Sequence, residues 1–267
     1  MIEPRHAAAG RGWRWIMAAF RIFRRRPLVW LMLHTLLLFI GSAMMLVPVI
    51  GPLVFALLTP VFMAGLMVGC RSVENGGRVE LGHLFQGFRH NATQLVTVGG
   101  VYLAGQVVVA GVMLYLGGDE LRSVASGVMQ DGADVPAVST STDRLSFALL
   151  IGAALFTPLA MAVWFAPPLV ALDGMHAIGA MRMSIRACLG NLLPMLVYAG
   201  GLTALLMMDL LAVRLILSVL PAGIGFLRGF TAVAGFMLWV TLTVISVYTS
   251  YRDLFTPVAQ DEPPRRE

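Results

Sequence analysis

The chain has 267 residues, of which 58% are hydrophobic and only 12% charged, and its mean hydropathy is +0.82. That charge content is about half of what a soluble globular chain carries, and uncharged runs exceed the roughly 18 residues that mark a membrane-crossing helix. Composition therefore excludes a water-soluble fold. The net charge of +5 rests on 19 arginines and no lysine. Because these arginines flank apolar runs and never interleave with aromatic residues on a polar domain, they point to membrane orientation and exclude nucleic acid as a partner.

In chain order, the first apolar stretch follows Arg24-Arg25-Arg26 and has no charged side chain up to Cys70. The Pro48 to Pro52 run makes a turn inside it, which gives spans at 28–47 and 53–70. Spans three and four, 92–117 and 145–172, flank a polar loop from Asp119 to Arg144 that needs no fold of its own. Spans five and six cover 191–208 and 229–251. The apolar segment between them, Leu210 to Leu227, contains Arg214 and Pro221. A central arginine costs about 3 kcal/mol on insertion, and a seventh crossing would separate the two termini. The segment is therefore read as interfacial or re-entrant.

The expected fold is all-α, a polytopic membrane protein of about six helices. Residues 1–27 form a basic amphipathic segment, 28–251 a single six-span domain, and 252–267 a tail. Six spans put fifteen arginines on one face and only Arg122, Arg144, Arg214 and Arg228 on the other. The positive-inside rule then places both termini in the cytoplasm of a bacterial cell, with the chain in its inner membrane. The first apolar run is read as a retained span, because its basic region is long and further spans follow. Cys70 and Cys188 fall at cytoplasmic span ends, where thiols stay reduced.

Each odd-numbered span is preceded by a short amphipathic stretch. In the first, Trp13, Ile16, Met17, Phe20 and Phe23 form an apolar stripe, with Arg14, Arg21 and Arg25 facing away. Trp15 and Ile22 fall on the basic side of that stripe. The second has Leu81, Leu84, Phe85 and Phe88 opposite His83, Gln86, Arg89 and His90. In the third, Ile178, Met181, Ile185 and Leu189 lie opposite Arg182 and Arg186. Such helices would lie in the interface plane, with guanidinium groups toward anionic headgroups. The pattern reads as a threefold unit of interfacial helix plus transmembrane hairpin. Gly65 and Gly69 offer a small-residue seam for packing inside the chain.

No catalytic, metal or cofactor motif is present, so no enzymatic activity and no cofactor are expected. Polar groups at bilayer depth are few: His34 in span one, Gln106 in span three, and Asp173 at the end of span four. Pro158, Pro167 and Pro168 would kink span four and open carbonyls there. Two functions remain in play. One is capture of membrane lipids, or of another membrane protein, through Trp13, Arg14, Phe20, Arg21, Arg25, Phe85, Arg182 and Arg186. The other is transport of a small solute, or a role in export, near His34, Gln106, Pro158 and Pro167.

Gly12-Trp13-Arg14-Trp15 with Pro27 and Trp30, Phe165-Ala166-Pro167, Ser184 to Asn191 with Pro194, and Tyr251-Arg252-Asp253-Leu254-Phe255 run through nearly the whole chain. In these residues the sequence resembles a family of uncharacterised multi-pass membrane proteins from proteobacteria. The resemblance implies a six-span inner-membrane protein and carries over no catalytic residue.

Overall fold

The computed structural model describes residues 3–89, 91–129, 142–221 and 223–255. Among them every regular element is helical. These are α1 (Arg11–Arg25), α2 (Pro27–Met45), α3 (Ile50–Glu74), a 3-10 segment (Leu81–Phe88), α4 (Ala92–Met129), α5 (Thr142–Trp164), α6 (Ala166–Asp173), α7 (Ala177–Gly190), α8 (Leu192–Val219) and α9 (Gly225–Phe255). Six stretches are long and apolar enough to cross a membrane: Pro27–Met45, Ile50–Glu74, Ala92–Gly118, Arg144–Asp173, Leu192–Val219 and Gly225–Phe255. They match the six expected spans in order. Most extend past the expected ends, because a helix continues after its residues turn polar.

The corner between α1 and α2 is set by Pro27, which disfavours helical geometry at the residue before it. Arg26 accordingly leaves the helix, at φ −150° and ψ 66°, and Pro27 opens the next one. The expected loop from Asp119 begins as helix: α4 breaks at Gly118, which takes φ 54° and ψ −139°, and helical backbone resumes to Met129. Glu120, Leu121 and Arg122 are strong helix formers, which accounts for the continuation. The rest of that loop, 130–141, lies outside the described residues, as do His90 and the tail 256–267.

Two further readings change. Leu210 to Leu227 is not an element of its own; residues up to Val219 complete α8, and α9 starts at Gly225. With 28 residues, α8 is about 42 Å long against a hydrocarbon core of roughly 30 Å. Arg214 therefore falls about 33 Å beyond Leu192, where its side chain can snorkel to the far interface. The fourth span is a helix pair, broken at Phe165 ahead of Pro167 and Pro168.

The 3-10 segment does not stand apart from the spans. It runs back along α3, from Gly69 beside Val79 to Val61 beside Gly87. An added Cβ at Gly65 would sit 2.4 Å from the His83 carbonyl, and one at Gly87 1.9 Å from that of Val61. The Gly65/Gly69 seam thus receives the backbone of this segment, within the chain. The order of connecting segment then hairpin recurs three times, but the segments differ: α helix, 3-10 helix, α helix.

The buried core lies toward the end where α1 starts and α9 finishes, called here the terminal face. It combines Trp15, Ile16, Trp30, Leu66, Leu84, Phe165, Leu169, Tyr198, Ile245 and Leu254. Toward the opposite end Met208, Leu211, Leu215, Phe226 and Phe230 are exposed, a surface that hydrocarbon can cover.

Candidate functional site

Polar groups gather at the terminal face, around the last residues of α9. Asp253 accepts hydrogen bonds from the Arg11 Nε at 2.9 Å and the Trp15 indole Nε1 at 2.7 Å. It also pairs with the terminal guanidinium nitrogens of Arg5 and Arg11. Its neighbour Arg252 pairs with Glu74 at the end of α3, and Glu74 accepts from the Tyr248 hydroxyl at 2.8 Å. Tyr251 donates to Asp173 at 2.6 Å. One stretch of α9 therefore ties down α1, α3 and α6. Its hydrogen bond to Asp253 pushes the Arg11 guanidinium above its ordinary range, against the opposing effect of burial.

A second tie holds the arm before α1. Asn191, which is buried, accepts from the Ala7 N–H at 2.7 Å and donates to the Arg5 carbonyl at 3.1 Å and the Ala187 carbonyl at 2.9 Å. The α7–α8 corner and the N-terminal arm are thus locked together. Gly12 completes the contact, because a Cβ there would meet the Pro194 carbonyl at 2.3 Å and the Tyr198 nitrogen at 2.7 Å. Only glycine lets α1 lie this close to α8.

A third tie repairs the break in span four. The Phe165 N–H donates to the Ser184 hydroxyl at 2.9 Å, and that hydroxyl donates to the Met161 carbonyl at 2.5 Å. Ser184 thus stands in for the helical bond that the chain loses there, a side-chain insertion of the kind that kinks helices. Cys188, one turn on, has its sulfur 3.9 Å from the same carbonyl. Burial pushes its thiol up to about 12.

The residues expected to meet lipid or a partner are divided among separate patches. Three faces divide α1. Trp15, Ile16, Ala19, Ile22 and Phe23 are buried against the bundle; Trp13, Met17 and Phe20 are exposed; Arg14, Arg21 and Arg25 are exposed on a third side. Trp15 and Ile22 therefore belong to the packed face and not to the basic one. Two apolar faces sit side by side here, and periodicity alone merged them. Arg24 lies over the Phe20 ring at 5.8 Å, and Arg25 donates to the Val73 carbonyl at 2.5 Å. Phe85 is exposed and meets Phe62 edge-on. Arg182 and Arg186 are exposed on α7, which packs mainly on α5 and α6.

The residues expected to line a transport path do not converge. His34 is buried on α2, with Nδ1 3.0 Å from the Trp30 carbonyl and Nε2 unpartnered. Gln106 is half-buried on α4, which packs on α3 and α5, whereas α2 packs on α3 and α9. Pro158 lies near the level of Gln106, where Gly105 meets Leu159. Pro167 opens α6. Reasoning from the sequence missed Asp253, Glu74, Asn191 and Ser184 as the ties of the fold. Asp253, Asn191 and Ser184 fall within the motifs at 184–191 and 251–255, which do not name their partners, and Glu74 falls in none.

Over 188 residues the chain is 31% identical to a protein of Burkholderia thailandensis described as a probable inner membrane protein, and the match covers 69% of each chain. No family model matches the chain, and no solved structure matches it.

Proposed function

The chain belongs to the family of this Burkholderia inner membrane protein, and from that premise we propose that its terminal face is cytoplasmic and holds anionic lipid, without catalysing a reaction. The observation that carries the reading is the three-faced α1. A helix that buries one side in the bundle, exposes Trp13, Met17 and Phe20 on a second and exposes Arg14, Arg21 and Arg25 on a third suits an interface. Aromatic rings then sit at headgroup depth and guanidinium groups reach lipid phosphates. Phe85, Arg182 and Arg186 extend the same chemistry on other segments.

Each arginine near an anionic leaflet contributes about 1 kcal/mol, so the three on α1 together account for roughly a hundredfold in lipid preference. With spin-labelled lipids and the full chain in bilayers, phosphatidylglycerol should be enriched around the protein over phosphatidylcholine. The Arg14→Gln/Arg21→Gln/Arg25→Gln variant should lose that enrichment. Equal enrichment in both proteins would sink the lipid reading. A benzophenone side chain at Trp13 that captured one membrane protein in place of lipid would transfer the surface to a protein partner.

Orientation is checked by reporters active on only one side of the membrane, fused after Gly77 and after Phe255. Both should report the cytoplasm. A periplasmic signal from either would reverse the face on which the arginines lie.

The rival reading, solute transport through the fourth span, has in its favour the Gln106 amide, which has no hydrogen-bond partner among the described residues near the level of Pro158. Against it, the Met161 carbonyl opened at Phe165 is already occupied by Ser184.

A further inference from the structure

Between α1 and the ends of α3 and α9 lies an open hollow of about 130 Å³, lined by Ala18, Arg21, Ile22, Arg25, Glu74 and Arg252. Three guanidinium groups share it with one carboxylate, and both oxygens of that carboxylate are engaged, one by Arg252 and the other by the Tyr248 hydroxyl. Arg25 commits one N–H to the Val73 carbonyl. Arg21 has no hydrogen bond or ion pair among the described residues. Each guanidinium carries five donors and no acceptor, so the hollow keeps a charge surplus of two and unfilled N–H groups.

The position of the hollow says from where a ligand would come. At about 100° per residue, Trp13, Met17 and Phe20 share one direction on α1. Ala18, Arg21, Ile22 and Arg25 lie about 80 to 180° away from it. The hollow therefore lies on the flank of α1 turned from its exposed apolar stripe. A dianion small enough to enter and rich in acceptor oxygens complements this site, and arginine forks match phosphate oxygens.

We propose that the hollow between α1, α3 and α9 binds the phosphate group of a water-soluble anion. This goes beyond the lipid reading, with which it shares Arg21 and Arg25, by naming a soluble phosphate held against α3 and α9 as the ligand. Arg21 and Arg25 make the direct contacts, and Arg252, held by Glu74, supplies the third charge. A phosphate seated there bridges α1 to α3 and α9, so its binding stabilises the fold.

The test is thermal unfolding of the full chain in a neutral detergent, titrated with inorganic phosphate at constant ionic strength against chloride. The unfolding temperature should rise saturably with phosphate. Arg21→Gln should weaken the apparent affinity at least tenfold, and Arg21→Lys, which keeps the charge but loses the fork, should fall between. Arg24→Gln, on the same helix outside the hollow, should leave the affinity as in the parent. No phosphate-specific rise, or an Arg21→Gln curve that overlays the parent, overturns the proposal. So does a rise seen with short-chain phosphatidylglycerol but not with inorganic phosphate, which would return these arginines to the lipid surface.

Discussion

Replacing Asp253 by alanine should cost about 2 kcal/mol and lower the unfolding temperature by roughly 4 to 8 °C. The carboxylate has four donors aimed at it, from Arg5, Arg11 and the Trp15 indole. Removing one partner of a buried pair typically costs 3–5 kcal/mol, about, because the remaining charge stays desolvated. Here each arginine keeps a third of its side chain in water while Asp253 is 11% exposed, so the lower figure applies. Asp253→Asn, which can still accept from Trp15, should lose less. Limited proteolysis gives a second readout, since the arm around Arg5 should become cleavable earlier than the rest of the chain. A variant that melts with the parent and keeps its arm protected would show that the carboxylate contributes little.

The reason to expect so much from one side chain is convergence. Asp253 secures α1 and the arm before it; Arg252 and Tyr248 reach Glu74 on α3; Tyr251 reaches Asp173 on α6. In hydrocarbon, helices gain little from burying apolar surface against one another, so polar ties and close backbone contacts carry more of the specificity. Both occur where this chain most needs them. The core sits at the terminal face, while the outer turns of α8 and α9 leave Leu211, Leu215 and Phe230 exposed. The surface proposed for lipid rides on α1, so it is positioned by the same ties. Loosening Asp253 should therefore weaken lipid selectivity as well as stability.

How much of this could be read in advance follows from the range of the interactions. The six spans were legible because hydropathy over some 20 residues is a local property, and each apolar run of that length has one outcome in a bilayer. Span ends were less so; α8 absorbs Asp209 and Arg214 because 28 helical residues outrun the hydrocarbon. The face of α1 that packs was hidden by its neighbour, since Trp13 and Trp15 are equally apolar and only the position of α8 and α9 separates them. The ties could not be read at all. Arg5 and Asp253 are 248 residues apart, and Phe165 and Ser184 are 19. A charge-free run reveals a span, but nothing in it states which serine will enter which broken turn.

That serine gives the other large effect. Ser184 is fully buried, and its hydroxyl links the Phe165 N–H to the Met161 carbonyl. In Ser184→Ala both backbone groups lose their partner, each at a cost of about 1–3 kcal/mol, and Cys188 at 3.9 Å is too weak a donor to replace it. The expected loss is about 2–4 kcal/mol, with the break between α5 and α6 as its site. Ser184→Thr retains the hydroxyl, and Ser184→Gly loses it without adding bulk. If the break is a structural kink, threonine should keep more of the stability than glycine or alanine, as read by thermal unfolding in detergent. If alanine melts with the parent, the Met161 carbonyl has another partner. Ser184 would then not be what repairs the break between α5 and α6.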